Sequence, residues 1–163
     1  MSAQGWAFAV LGEPAPQGSK RHVGNGVMVE SSAKVRPWRE AVKAAAPAGP
    51  PLLDGPVLAG MVFTMKRPAS ARKLQVVPST RPDLSKLVRS TEDAITDAGL
   101  WADDARVAAY PLLAKVWWPN GPFSLPTSGA VVGAVPWALG PATLLDLMFE
   151  AARTAQRRFE EPA

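Results

Sequence analysis

The stretch Arg81-Pro82-Asp83-Leu84-Ser85-Lys86-Leu87-Val88-Arg89-Ser90-Thr91-Glu92-Asp93-Ala94-Ile95-Thr96-Asp97-Ala98-Gly99 is the most legible part of the chain. Leu84, Leu87, Val88, Thr91, Ile95 and Ala98 recur three or four residues apart, which makes one apolar stripe on a helix. Asp83 stands where a carboxylate caps the free N–H groups of a helix start. Gly99 stands where a helix ends. Ser85 and Arg89 are one turn apart and face away from the stripe.

Strands flank this helix. Val57 to Met65 is a strong strand candidate, and Val107 to Trp118 reads as one long strand bent at Pro111 or as two. Residues 66–82 form a basic, Pro-containing loop with Lys66, Arg67, Arg72, Lys73 and Arg81. Upstream, residues 5–12 read as a buried first strand, 13–26 as a Pro/Gly-rich loop, and Val27 to Glu30 as a short strand or hairpin arm. A helix is expected near 36–46, with Pro37 in its first turn and Pro47 ending it. Residues 47–56 are a Pro/Gly linker. Downstream, Gly129 to Trp137 is a strand of small residues. A last helix over 142–159 turns Leu144, Leu145, Met148, Ala151, Ala152, Ala155 and Phe159 inward. This order predicts an α/β or α+β domain: a small mixed sheet flanked by helices. Residues 1–137 form the main domain and 138–163 a helical extension suited to packing or dimer contact.

Composition narrows the chemistry. The chain has 163 residues, enough to bury roughly two-thirds of its unfolded surface without a staple. It has no Cys, which excludes disulfides, thiolate metal sites and Cys nucleophiles, and one His, His22, in a loop. Its apolar runs are too short for a membrane span, and a secretory leader pattern is missing. The expectation is a cytoplasmic protein with no membrane partner.

Charge is unevenly spread. Net charge is +4, but residues 83–104 carry six acids and two bases, so this segment is −4 and the remainder +8. A metal-dependent nuclease needs such an acidic island in a basic body, although solvated helix faces are the commoner cause of a charge run. Trp117 and Trp118 suit packing better than base stacking, and Glu92 and Asp97 read as surface residues. Gly99 lies sixteen residues past Asp83, roughly 24 Å along a helix. A strand returning at about 3.3 Å per residue needs several residues beyond 104 to regain Asp83. Within one subunit Asp83 and Asp103-Asp104 are therefore free to be far apart, and a second subunit is one way to complete a site.

The joint pattern closely resembles the RusA-type Holliday-junction resolvases. That family opens a helix with Asp-x-Asp-Asn/Lys-Leu-x-Lys/Arg, continues with Asp-Ala-Leu/Ile-Thr and a Gly, and follows with an aromatic-x-Asp-Asp-x-x-Val segment. Here Asp83, Lys86, Leu87, Arg89, Asp93-Ala94-Ile95-Thr96, Gly99, Trp101, Asp103-Asp104 and Val107 fit. Pro14-x-Pro16-Gln17-Gly18-Ser19-Lys20-Arg21 and Trp38-Arg39 resemble its longer members. The resemblance covers about residues 5–118.

The resemblance implies a homodimer that cuts four-way DNA junctions with paired symmetric nicks, using Mg²⁺ with Mn²⁺ as a substitute. It implies catalytic positions at Asp83, Ser85, Arg89 and Asp104, and metal ligands at Asp83, Asp103 and Asp104. Arg89 takes the family's catalytic cation position, its alternative being a salt bridge to Asp93. Lys20, Arg21, Lys34, Arg36, Arg39 and Lys86 are the expected DNA contacts. One position departs: Ser85 stands where the family carries its second Asp, and a hydroxyl is a poor Mg²⁺ ligand. The expectation therefore includes a catalytically inert binder of branched DNA. A third possibility is a metal-free assembly protein that uses the C-terminal helix.

Overall fold

A computed structural model describes residues 4–18, 20–30, 33–118 and 121–161, with backbone only at 20–22 and 28–30. Its elements run β1 (Trp6–Leu11), β2 (Lys20–His22), β3 (Met28–Glu30), α1 (Val35–Ala45), β4 (Val57–Met65), α2 (Leu84–Asp97), β5 (Val107–Trp117), β6 (Gly129–Pro136) and α3 (Gly140–Glu160).

The main sheet has the order β1-β6-β4-β5. β6 is antiparallel to both β1 and β4, whereas β5 runs parallel to β4, with α2 as the crossover between them. The expected mixed sheet flanked by helices is therefore present. β4 is buried along all but its last residue because both sheet faces are covered, which is why it reads as a continuous apolar run.

Alternation along the strands divides the core. Phe8, Val10, Ala59, Met61, Phe63 and Val132 face α1 and α2, where they meet Trp38, Val42, Leu87 and Ile95. Leu58, Val62, Val131 and Val135 face α3 and meet Leu144, Met148 and Ala152. Gly60 and Gly133 are register partners under that helix. A Cβ at Gly60 would stand 2.4 Å from Met148 Sδ, and one at Gly133 2.9 Å from its Cγ. The small residues of β6 thus admit α3 close to the sheet.

Some expectations change. Residues 20–22, read as loop, pair with 28–30 as a separate two-stranded hairpin. β5 is a single strand whose register with β4 shifts between Ala109 and Leu112, around Pro111, which has no N–H for the ladder. Phe159 does not turn inward: it is 56% exposed, at the rim of an open groove lined by α3, β1 and Ala45 of α1. Trp117 is buried and Trp118 exposed.

Candidate functional site

The α2 helix is held by its own buried polar groups. Ser90 and Thr91 are fully buried, and both hydroxyls donate to the Leu87 carbonyl, at 3.0 and 2.8 Å. Ser90 Oγ also lies 2.6 Å from the Ala15 carbonyl, and Thr91 Oγ1 accepts from the Trp38 indole at 3.1 Å. The Gln17 N–H donates to the Lys86 carbonyl at 3.0 Å. These bonds tie the Pro14–Gly18 loop and α1 to the first two turns of α2.

Asp83 is the N-cap residue, yet its side chain makes no capping hydrogen bond. The expected carboxylate cap is corrected: the Lys86 and Leu87 N–H groups donate to the Asp83 carbonyl at 3.1 Å, and the carboxylate pairs with Lys86 Nζ at 3.3 Å. Both partners are about half exposed, so the pair is weak and the carboxylate can be drawn to another cation. Behind it, Lys115 Nζ on β5 donates to the carbonyls of Thr80 and Pro82, each at 2.9 Å. The backbone entering α2 is thereby fixed to the C-terminal half of β5. Ser85 and Arg89 are exposed one turn apart. Among the described residues no carboxylate forms an ion pair with Arg89. Asp93, its alternative partner by sequence, faces Arg39 instead at 3.5 Å.

Further along the same side of α2, Glu92 is half-buried and accepts a hydrogen bond from the Tyr110 hydroxyl of β5. Burial raises its pKa above the ordinary carboxylate value; the Tyr110 bond opposes this, and the charges of Asp104 and Asp93 add to the rise. Burial also raises the Tyr110 phenol, with the Glu92 bond and charge adding to it. Sequence alone assigned Glu92 to the surface. The fold makes it the polar contact between α2 and β5, a pairing eighteen positions apart that no local pattern announces.

Asp103 and Asp104 follow a short parallel bridge between Leu53 and Trp101. Asp103 Oδ1 accepts from the Ala105 N–H at 2.8 Å and caps a single turn over 104–106. Asp104 is exposed, within electrostatic reach of the Glu92–Tyr110 pair. Glu92 is nine positions beyond Asp83, about 13 Å along a helix. Asp83 lies beside Lys115 near the far end of β5, whereas Asp104 lies before the strand's start, so the chain separates them. Among the described residues no three acidic or His side chains converge as a metal-binding group. One chain therefore does not assemble the donor set that Asp83, Asp103 and Asp104 would have to provide.

The bases divide into occupied and open ones. Lys34 pairs with Glu13 at 2.7 Å, and Arg39 with Asp97 at 2.5 Å. Arg36 is exposed, and the side chains of Lys20 and Arg21 lie outside the described residues. Lys66, Arg67, Arg72, Lys73 and Arg81 are exposed on one loop that runs from β4 directly into Asp83. The basic character of this loop is plain in the sequence; its placement next to Asp83 follows from the β4–α2 connection.

A protein-family model described as endodeoxyribonuclease RusA matches residues 12–121. No curated protein matches the chain.

Proposed function

The chain belongs to the RusA endodeoxyribonuclease family, which acts on branched DNA junctions, and on that premise we propose that it recognises four-way junctions and cuts them by paired symmetric nicks. The observation that carries this reading is the match over residues 12–121, which contains Asp83, Arg89 and Asp103-Asp104.

In this reading the basic body binds junction arms through backbone phosphates, so affinity falls steeply with salt. Arg89, free of ion pairs among the described residues, faces the scissile phosphate and stabilises the charge that grows on it as water attacks in line. The P–O3′ bond breaks and leaves a 5′-phosphate and a 3′-hydroxyl. Lys86 is drawn from Asp83 to a neighbouring phosphate. Mg²⁺, with Mn²⁺ as substitute, belongs to the proposal under one condition. Because Asp83 and Asp103-Asp104 do not converge within one chain, a homodimer must bring the second subunit's pair to the first subunit's Asp83. Two such sites about a two-fold axis suit paired nicking.

Ser85 favours a second reading, an inert junction-binding protein, since its exposed hydroxyl stands where the family carries a carboxylate. Cleavage of a labelled four-way junction in Mg²⁺ and in Mn²⁺, by the parent and by Ser85→Asp, tests both. The parent is expected to cut at least about a hundredfold slower than Ser85→Asp, the equivalent of roughly two tenfold steps in barrier. Its junction affinity should be equal or slightly tighter, with one fewer negative charge near the phosphates. Ser85→Asp cutting no faster in either metal would remove position 85 from the acidic centre. Junction binding without nicks from either protein supports the inert reading.

A further inference from the structure

The loop between β4 and α2 combines two features that neither strand nor helix explains. Residues 66–82 carry five bases and no acid. At the loop's centre Leu74 is 94% exposed and Val76 69%, the two most exposed large apolar side chains among the described residues, and Val77 beside them is 49% exposed. Leaving three such groups in water is unfavourable by apolar area, and nothing in the core uses them. The loop is nonetheless folded. Arg67 Nη2 donates to the Arg72 carbonyl at 2.9 Å, the Gln75 N–H donates to the same carbonyl at 2.9 Å, and Gln75 Nε2 reaches the Val77 carbonyl and Ser79 Oγ at 3.1 and 3.0 Å. At its base Lys115 holds the Thr80 and Pro82 carbonyls. The tip is therefore presented by a braced loop, with Arg72 and Lys73 adjoining Leu74.

We propose that this loop is a wedge for the branch point: Leu74, Val76 and Val77 pack against bases exposed at the crossover, while Arg72 and Lys73 hold the flanking phosphates. The proposal rests on the reading of the chain as a junction-binding protein and adds the part of the molecule that tells a junction from a duplex. Charge complementarity selects the partner, since a loop with bases and no acids faces a polyanion. The apolar tip selects the form of that polyanion. A stacked duplex hides its base faces, whereas a branch point offers them, and apolar side chains inserted between base steps are an established way to use such faces. Asp83 follows the loop directly, so a wedged tip would set the register of the nearby strand at the first turn of α2.

The test compares the full chain with a Leu74→Ser/Val76→Ser/Val77→Ser variant and an Arg72→Gln/Lys73→Gln variant. Binding is measured to a four-way junction carrying 2-aminopurine at the crossover and to a linear duplex of the same arms. The parent should prefer the junction and raise the 2-aminopurine fluorescence. The triple Ser variant should lose at least about fivefold in junction affinity together with the fluorescence rise, and keep its duplex affinity within about twofold, because the apolar contacts need unstacked bases. Unchanged duplex binding also shows that the variant is folded. The Gln variant should weaken both complexes and flatten the salt dependence by a slope of about 1.8, two phosphate contacts at about 0.9 each. A parent that binds junction and duplex equally overturns the junction reading and the wedge with it. A parent that prefers the junction, beside a triple variant with the same preference and fluorescence, overturns the wedge alone.

Discussion

Glu92 shows how one carboxylate can be costly and still useful. It is half-buried against Tyr110, and burial raises its pKa despite the hydrogen bond it accepts. An acid whose folded pKa lies above its unfolded value binds more protons when folded in the interval between the two. Stability therefore falls as pH rises through the ordinary carboxylate range, and the penalty is complete above the raised folded value. Glu92→Gln keeps an acceptor for the Tyr110 hydroxyl and removes the charge. Its melting temperature is expected to match the parent's near pH 4 and to exceed it at pH 7. Thermal melts across that range check this, and a parent that is more stable than Glu92→Gln at pH 7 would count against the assignment. The charges of Asp104 and Arg89 both act on this carboxylate, which ties it electrostatically to the face on which the candidate site is built.

At the level of elements, α3 is part of the fold's second face. Leu144, Met148 and Ala152 are fully buried against β4 and β6, and Met148 occupies the notch made by Gly60 and Gly133. Met148→Ala should destabilise the protein by about 2–5 kcal/mol, the range for large-to-small changes at buried positions. Denaturant unfolding should show this as a lower midpoint at an unchanged slope. Junction binding by the folded fraction should stay the same, since α3 lies across the sheet from α2. A change well below 1 kcal/mol would mean that the helix is not integral to the domain.

For the whole molecule the separation of Asp83 from Asp104 sets the question of assembly. The proposed paired nicking and shared acidic centre both call for two copies, and on that reading light scattering at micromolar protein should give about twice 17.3 kDa. A monomer mass at every concentration would show that the free protein does not assemble, and would leave the divided aspartates without a partner. The basic body and the acidic segment share one domain, so salt should weaken DNA binding before it affects folding.

What was legible in the sequence was whatever depends on local period and on residue type. The α2 stripe, the continuous apolar run of β4 and the small residues of β6 each follow from a spacing of 3.6 or 2 or from tight packing, and each element formed within a few residues of its expected bounds. The motif around α2 likewise carries the resemblance to the family whose model matches residues 12–121. Tertiary structure alone decided which polar groups far apart in the chain meet. Arg39 turned to Asp93 and Asp97 on another helix, Lys34 to Glu13, Lys115 to two carbonyls thirty-odd positions away, and Tyr110 to Glu92. Such contacts depend on how strands and helices stack. A side chain's charge is written locally, but its nearest opposite charge is set by chain segments that only folding brings together.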